Sequence, residues 1–255
     1  MTVSNHFDQN NDNFSAKKTG KVVVLRFKGN PLLNSAIVKD RDAVLDYFDL
    51  VSSSDAIQVV VLLNQSKRSP RETYCEFYKM IFSTQYWVNS LFKMYRTFDQ
   101  IILRIVESDK FFISADNGNI IPQIFNVSLA CDYRIIANDA VFENAPLELG
   151  PMPKGGGAFF LSRLLGSVKT YDLLLSDREV RADEALNLGI VNQVVSYDDL
   201  EAVALATAQY YAEKPSTSLS GIKRIVNYTA KDLKKYLKFE NEQLLRTMGL
   251  SHLTS

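Results

Sequence analysis

The sequence predicts an α/β fold, and three features carry that prediction. Lys21–Phe27 (KVVVLRF) and Gln58–Leu63 (QVVVLL) are continuous β-branched runs of the kind buried on both faces of a sheet. Between them Val38, Val44, Leu45, Phe48 and Val51 form a helical stripe, so strand, helix and strand follow one another as a parallel crossover. From Asp198 onward the pattern is helical, and this gives the chain an α/β core with a helical C-terminal part.

The remaining elements follow in order. Asn30-Pro31 ends the first strand, and Asn64–Arg71 (NQSKRSPR) is a polar, basic loop. Glu72–Val106 holds no Gly or Pro, is dense in aromatic residues and reads as one long helical stretch. Lys110–Ala115 is a third strand, ended by Asp116-Asn117-Gly118, and Asp116–Ile124 is a loop containing Pro122. Phe125–Cys131 is a short helix, Tyr133–Ile136 and Ala140–Phe142 are short strands, and a loop at Glu143–Gly157 leads into a helix at Ala158–Leu165. Helices at Ala182–Leu188, Asp198–Ala212, Ser216–Asn227 and Lys231–Met248 follow, with Asp183 and Asp198 as expected caps. The domain reading is a mobile polar tail over residues 1–19, an α/β core over 20–197 and a helical oligomerisation region over 198–255.

Composition excludes several function classes. Lys plus Arg equals Asp plus Glu, 29 against 29, so no general field holds nucleic acid or an anionic membrane. No apolar run approaches the roughly 20 residues of a membrane span. Two cysteines, Cys75 and Cys131, make no disulfide scaffold and fit a reducing compartment; we expect a cytoplasmic protein in which both pack as buried apolar groups. The two histidines, His6 and His252, lie near the chain ends. That disfavours a Ser-His-Asp triad, a Cys-His pair or a multi-His metal site, and no metal is expected.

Four segments could carry chemistry. In Pro151-Met152-Pro153-Lys154-Gly155-Gly156-Gly157 the glycines let backbone amides approach a ligand, a helix start adds a positive dipole end, and Lys154 adds a cation; the competing reading is a flexible connection with Lys154 in solvent. In the segment from Asn117-Gly118 to Asp132 a loop turns into a short helix whose first amides could stabilise an oxyanion. Glu143 and Glu148 are candidate acid/base groups on a loop after a strand. Lys231, Lys234, Lys235 and Lys238 share helical spacing and could hold the phosphates of a nucleotide-like ligand; the favoured reading is a solvated helix face.

In order, these segments resemble the crotonase (enoyl-CoA hydratase/isomerase) superfamily. The strongest match is Val127–Ala137 (VSLACDYRIIA), similar to the family's "lalacDlriaa". It continues through Phe142, Leu149-Gly150 and Pro153–Gly157, then Leu161–Gly166 (LSRLLG), Arg181–Ala185 and Leu188–Val191; Asn30-Pro31 and Asn34 resemble the family's start. The resemblance implies a spiral of ββα units with helices that trimerise, either as a homotrimer or as a dimer of trimers. It also implies an acyl-CoA thioester as substrate, with coenzyme A as part of that substrate and no separate cofactor. Two backbone amides would stabilise the thioester enolate.

Departures from the family pattern shape the expectations. After Leu63 there is no Gly-Ala-Asp segment, so the first amide donor is unassigned. The family's glycines before the second donor become Pro122-Gln123-Ile124, which makes Gln123 the backbone donor in a place where a side chain disfavours positive φ. The two hydratase glutamates fall on Asn126 and Pro146; Asn126 is then a polar contact in place of an acid, and Glu143 or Glu148 a displaced acid/base. Lys154 replaces a glycine and is expected beside the acyl group. The family's C-terminal lysine contact to CoA has no match in Met248–Ser255, so Lys67, Arg68 and Arg71 are the expected CoA-binding groups. Hydration, isomerisation and decarboxylation through an enolate all remain open. The alternative is a catalytically silent member that binds CoA or serves as a scaffold.

Overall fold

A computed structural model describes residues 6–66, 69–142, 154–176 and 178–248. β-Branched runs put four parallel strands side by side: β3 (Val22–Phe27), β4 (Val59–Ser66), β5 (Phe111–Ile120) and β6 (Tyr133–Ala137), with β9 (Gln193–Val195) beyond them. β1 (Gln9–Asn10) and β2 (Phe14–Thr19) extend the sheet by antiparallel pairing onto β3. For residues 9–19 the expected tail is therefore corrected, while residues 1–5 lie outside the described residues: Phe14 is fully buried and Ala16 nearly so, and this inward alternation recruits the segment as a strand. β7 (Val141–Phe142) pairs with the far end of β5, and β8 (Val180–Arg181) with β7.

Strand alternation supplies two cores. Val23, Leu25, Val60, Leu62 and Phe112 face one side, against α2 (Val38–Ser52) and α4 (Trp87–Glu107). Val22, Val24, Val59, Val61 and Ile113 face the other, against Leu200, Ala204 and Ala208 of α8 (Leu200–Ala212). The helix placed in the C-terminal helical region thus covers a sheet face of the core. Each large aliphatic side chain buried this way contributes roughly 1.5–3 kcal/mol.

Several expected boundaries move. Asn30-Pro31 ends the first strand but also starts a helix, α1 (Pro31–Ala36): the Asn30 side chain accepts from Leu32 N, and Pro31 fills the first helical position, where a missing N–H costs nothing. The long aromatic stretch is two helices, α3 (Pro70–Phe82) and α4, parted at residues 83–86 without Gly or Pro. β5 does not stop at Asp116 but runs through Asn117-Gly118, because β4 continues alongside it as far as Ser66. α5 (Pro122–Ala130) starts at the proline expected in a loop.

α6 (Gly157–Leu175) is longer than expected and breaks at Gly166 (φ 77°), while α7 (Ala182–Asn187) opens on Arg181 rather than Asp183. Asp199, not Asp198, precedes α8. α9 (Ser216–Val226) is pinned through Lys223, whose buried ammonium donates to the Asp132 carboxylate (2.8 Å) and to the carbonyls of Ile105 and Lys110. α10 (Leu233–Thr247) follows and carries the exposed Lys234, Lys235 and Lys238; Lys231, just before it, is exposed too, as expected. Cys131 is buried; Cys75 is only half-buried, which departs from the expectation for it.

Asp116 is the buried carboxyl on β5, next to the equally buried Ser114 and Asn117. Its face alternates Phe112, Ser114, Asp116, and it is 2% exposed beside Ser114 and Ser128, whose hydroxyls lie 2.6 Å apart. Burial pushes its carboxyl up to about 7, against the opposing pull of Ser128, Ser114 and Asn64. Between pH 4 and 7 the unfolded chain gives up this proton while the folded chain keeps it, so stability falls as pH rises through that window and levels off above 7. Asp116→Asn is expected to flatten that slope and to raise stability at pH 8 by on the order of 1–3 kcal/mol, read from urea midpoints across pH.

Candidate active site

Gln123 and Asn126 lie on α5, which begins where β5 ends. Pro122 takes the first helical position and Gln123 the second, so the Gln123 N–H is among the first-turn donors that no carbonyl within the helix can meet. The first amide bonded back is Phe125 N, to Ile121 O at 2.9 Å. Gln123 has an ordinary helical backbone; no non-glycine among the described residues has positive φ, so the loss of the family's glycines brings no strain there. Its side chain is buried, and its amide oxygen accepts from the Tyr74 hydroxyl of α3.

Lys154 is neither in solvent nor free. Its side chain is fully buried, its ammonium meets Asp99 of α4 at 2.7 Å, and it lies 5.0 Å from the centre of the Tyr95 ring. The competing reading, a flexible connection with Lys154 in solvent, is corrected accordingly. Its carbonyl accepts from the Asn126 amide at 2.8 Å, so Asn126 ties α5 to the turn.

The glycine amides are engaged as well. Gly155 (φ 100°) and Gly156 (φ 78°) aim both N–H groups at one oxygen of Glu240 on α10, each at 3.0 Å. The expected ligand cradle is filled from within the chain. At Gly157 a Cβ would come within 2.4 Å of Asn126 Oδ1, so that glycine is required by the close approach of α5. Burial pushes the carboxyls of both Asp99 and Glu240 up; Lys154 opposes this for Asp99, and the two glycine amides do so for Glu240.

The first-donor region is closed differently. Ser69 caps α3 with a reciprocal box: its hydroxyl accepts from Glu72 N at 3.2 Å, and the Glu72 carboxylate accepts from Ser69 N at 3.1 Å. Thr73 N bonds to Ser69 O, and Pro70 has no N–H to offer. Arg71 is exposed on the first turn, outside this cluster. Glu143, Glu148, Lys67 and Arg68 lie outside the described residues.

The structure thus brings together Gln123, Asn126 and Lys154, and adds Asp99, Glu240 and Tyr74, which sequence reasoning missed. A signal existed for two of these. Glu240 sits in the stripe Leu233, Leu237, Glu240, Leu244, and Asp99 among Tyr95, Phe98 and Ile102; each is a carboxylate at a core-facing helical position.

A buried pair resists losing one partner more than losing both. Lys154→Met is expected to cost about 3–5 kcal/mol in urea unfolding, and Lys154→Met with Asp99→Leu to recover most of it. Equal losses in the two variants would show that the ion pair is not the cause.

The Enoyl-CoA hydratase/isomerase family profile matches residues 82–252, about two thirds of the chain. A carnitinyl-CoA dehydratase of Salmonella typhi is 32% identical over 129 residues, 51% of this chain and 49% of that protein, so the chain spans about half the length of the curated relatives it matches. Among solved structures, an enoyl-CoA hydratase from Bacillus halodurans superposes with a TM-score of 0.78 at 21% identity, covering 91% of this chain and 94% of the other. A monofunctional enoyl-CoA isomerase from M. smegmatis gives a TM-score of 0.66 at 21% identity, covering 85% and 92%. The structural likenesses establish the crotonase fold, and the profile match, over a span that includes α5, the glycine turn and Glu240, makes this chain a member of the enoyl-CoA hydratase/isomerase family.

Proposed function

We propose that the chain binds an acyl-CoA thioester and stabilises the enolate that forms next to its carbonyl. The observation that carries this reading is the N–H of Gln123, which has no partner among the described residues at the start of a buried helix. The names of the matched relatives, which specify CoA esters, support the thioester class. Asn126 stands where the family has an acid and hydrogen-bonds Lys154, so it positions the turn and moves no proton. The Lys154 ammonium is committed to the Asp99 carboxylate. A reaction that needs a stabilised enolate and not two acids, such as decarboxylation, fits this set better than hydration does. Glu143 or Glu148 remains the proposed acid/base, and Lys67, Arg68 and Arg71 the proposed contacts to CoA phosphates.

A second reading, a CoA-binding member without turnover, is favoured by one observation: Glu240 and Asp99 take up the turn's amides and its cation. Thermal melting separates the readings. Crotonyl-CoA or acetyl-CoA at about 100 times its Kd is expected to raise Tm by ~5–10 °C. Turnover accompanying the shift supports the enolate reading, a shift without turnover supports the silent binder, and no shift with either ester or with CoA sinks both.

We also propose that copies of the chain associate through α6 and α9. Val168, Tyr171 and Leu175 of α6 and Ile222, Ile225 and Val226 of α9 are exposed, Val168 by 81%. Exposed apolar stripes of this kind mark contact surfaces. No helix among the described residues is long and apolar enough to cross a membrane, and a second copy is the proposed cover. Val168→Asp is expected to lower the mass seen by light scattering while leaving the circular dichroism spectrum unchanged.

A further inference from the structure

The four lysines at helical spacing do not share one environment. Lys231 and Lys234, three positions apart on helical backbone, line a cavity of about 240 Å³ between the end of α4, the end of α9 and the start of α10, whereas Lys235 and Lys238 do not. Lys223 and Arg224 of α9 bring the cations in its wall to four, against one carboxylate, Glu107, among the described lining residues. The chain as a whole carries no net charge, so this excess is local. Like charges around one concavity repel, and an anion placed between them relieves the repulsion.

The carbonyls that end α4 are already met. The buried Lys223 ammonium donates to Ile105 O (2.8 Å) and Lys110 O (2.7 Å) as well as to Asp132, and the Asn227 side-chain amide donates to Val106 O at 3.4 Å. The other three cations are not so committed. Arg224 stands 3.8 Å from Asp109, too far for a hydrogen bond. The Lys231 ammonium lies 4.8 Å from the centre of the Tyr228 ring. Lys235 pairs with Asp232, but Lys234 has no carboxylate partner among the described residues.

Position and size separate this cavity from the candidate active site. Lys223 in its wall bonds the carbonyl of Lys110, just before β5, while Gln123 follows the other end of that strand; ten residues at about 3.3 Å each set the two roughly 30 Å apart. The volume falls below the roughly 300–1,000 Å³ of a site for a drug-sized molecule, so it suits a phosphate group with a few further atoms and not a whole CoA.

We propose that this cavity is a second binding site, for the phosphate group of a small molecule, held by Arg224, Lys231 and Lys234. A phosphate monoester carries about −1.5 to −2 charge at pH 7 and three strong acceptor oxygens. The planar Arg224 fork can take two of these oxygens, and the lysines act as point charges beside it. A carboxylate, with a single charge, would leave two of the three cations unmatched. The site does not depend on the acyl-thioester reading.

Calorimetric titration of the whole chain with inorganic phosphate and with glycerol 3-phosphate, at one ionic strength set by chloride, tests it. Each is expected to saturate a single site. K231Q/K234Q is expected to weaken binding by on the order of 10-fold or more, since charged hydrogen bonds are lost. K235Q/K238Q removes the same charge just outside the cavity, and is expected to weaken binding by less than about 2-fold. All four lysines are exposed, so both variants are expected to keep the wild-type circular dichroism spectrum. Tighter binding of the ester would assign the site to a phosphate ester, and equal binding to free phosphate; both uphold it. Equal weakening in the two variants would reveal only a general field and would overturn the site. So would affinity unchanged in K231Q/K234Q, which places the anion elsewhere, or the absence of saturable binding. None of these outcomes bears on the melting shift with crotonyl-CoA, so either proposal can fail alone.

Discussion

One carboxylate oxygen holds the centre of this molecule together. Oε2 of Glu240 accepts both the Gly155 and Gly156 amides. Consecutive amides aimed to one side by positive-φ glycines make a concave anion site, and here the anion comes from the chain's own last described helix. The remaining contacts depend on that turn being fixed. The Lys154 carbonyl reaches Asn126, the Lys154 ammonium reaches Asp99, and α6 starts immediately afterward. Four helices, α4, α5, α6 and α10, therefore meet at one short turn. The bonds to Asp99 and Glu240 are to carboxyl groups, and charge-assisted bonds of that kind are roughly twice as strong as a neutral one such as that from Asn126 to the Lys154 carbonyl.

The inner strands β3 and β4 were legible because their β-branched runs are short and continuous, and α2 because its stripe is regular, whereas β1 and β2 lie in a polar segment that carries little such signal. The division between α3 and α4 was not legible, because nothing in Ser83–Tyr86 punctuates the chain. The passage of β5 through Asn117-Gly118 was hidden too, since it depends on the length of a different strand. At the site, Gln123, Asn126 and Lys154 were found by register within a family pattern. Their partners were not, because the pairs span 55 residues for Lys154–Asp99 and 85 for Gly155–Glu240, distances over which local periodicity carries no information.

The replacement of glycines by Pro122-Gln123-Ile124 has a simple reconciliation. Proline's fixed φ suits a first helical position, and its missing N–H would have been unbonded there in any case. The helix start therefore survives, buried, with its first-turn amides in place. The neighbouring wall is α3, a capped helix that bears Tyr74 and Tyr78.

The aromatic stack on that helix continues outward. Tyr78 stacks on Phe82 at 5.2 Å, and Phe82 meets the edge of Trp87 at 5.3 Å, across the bend into α4. Trp87 is the sole tryptophan of the sequence. Its fluorescence therefore comes from a single place, the hinge joining the tyrosine-bearing helix to its successor, and any ligand that shifts this helix will change the colour or brightness of that emission without the need for an attached dye.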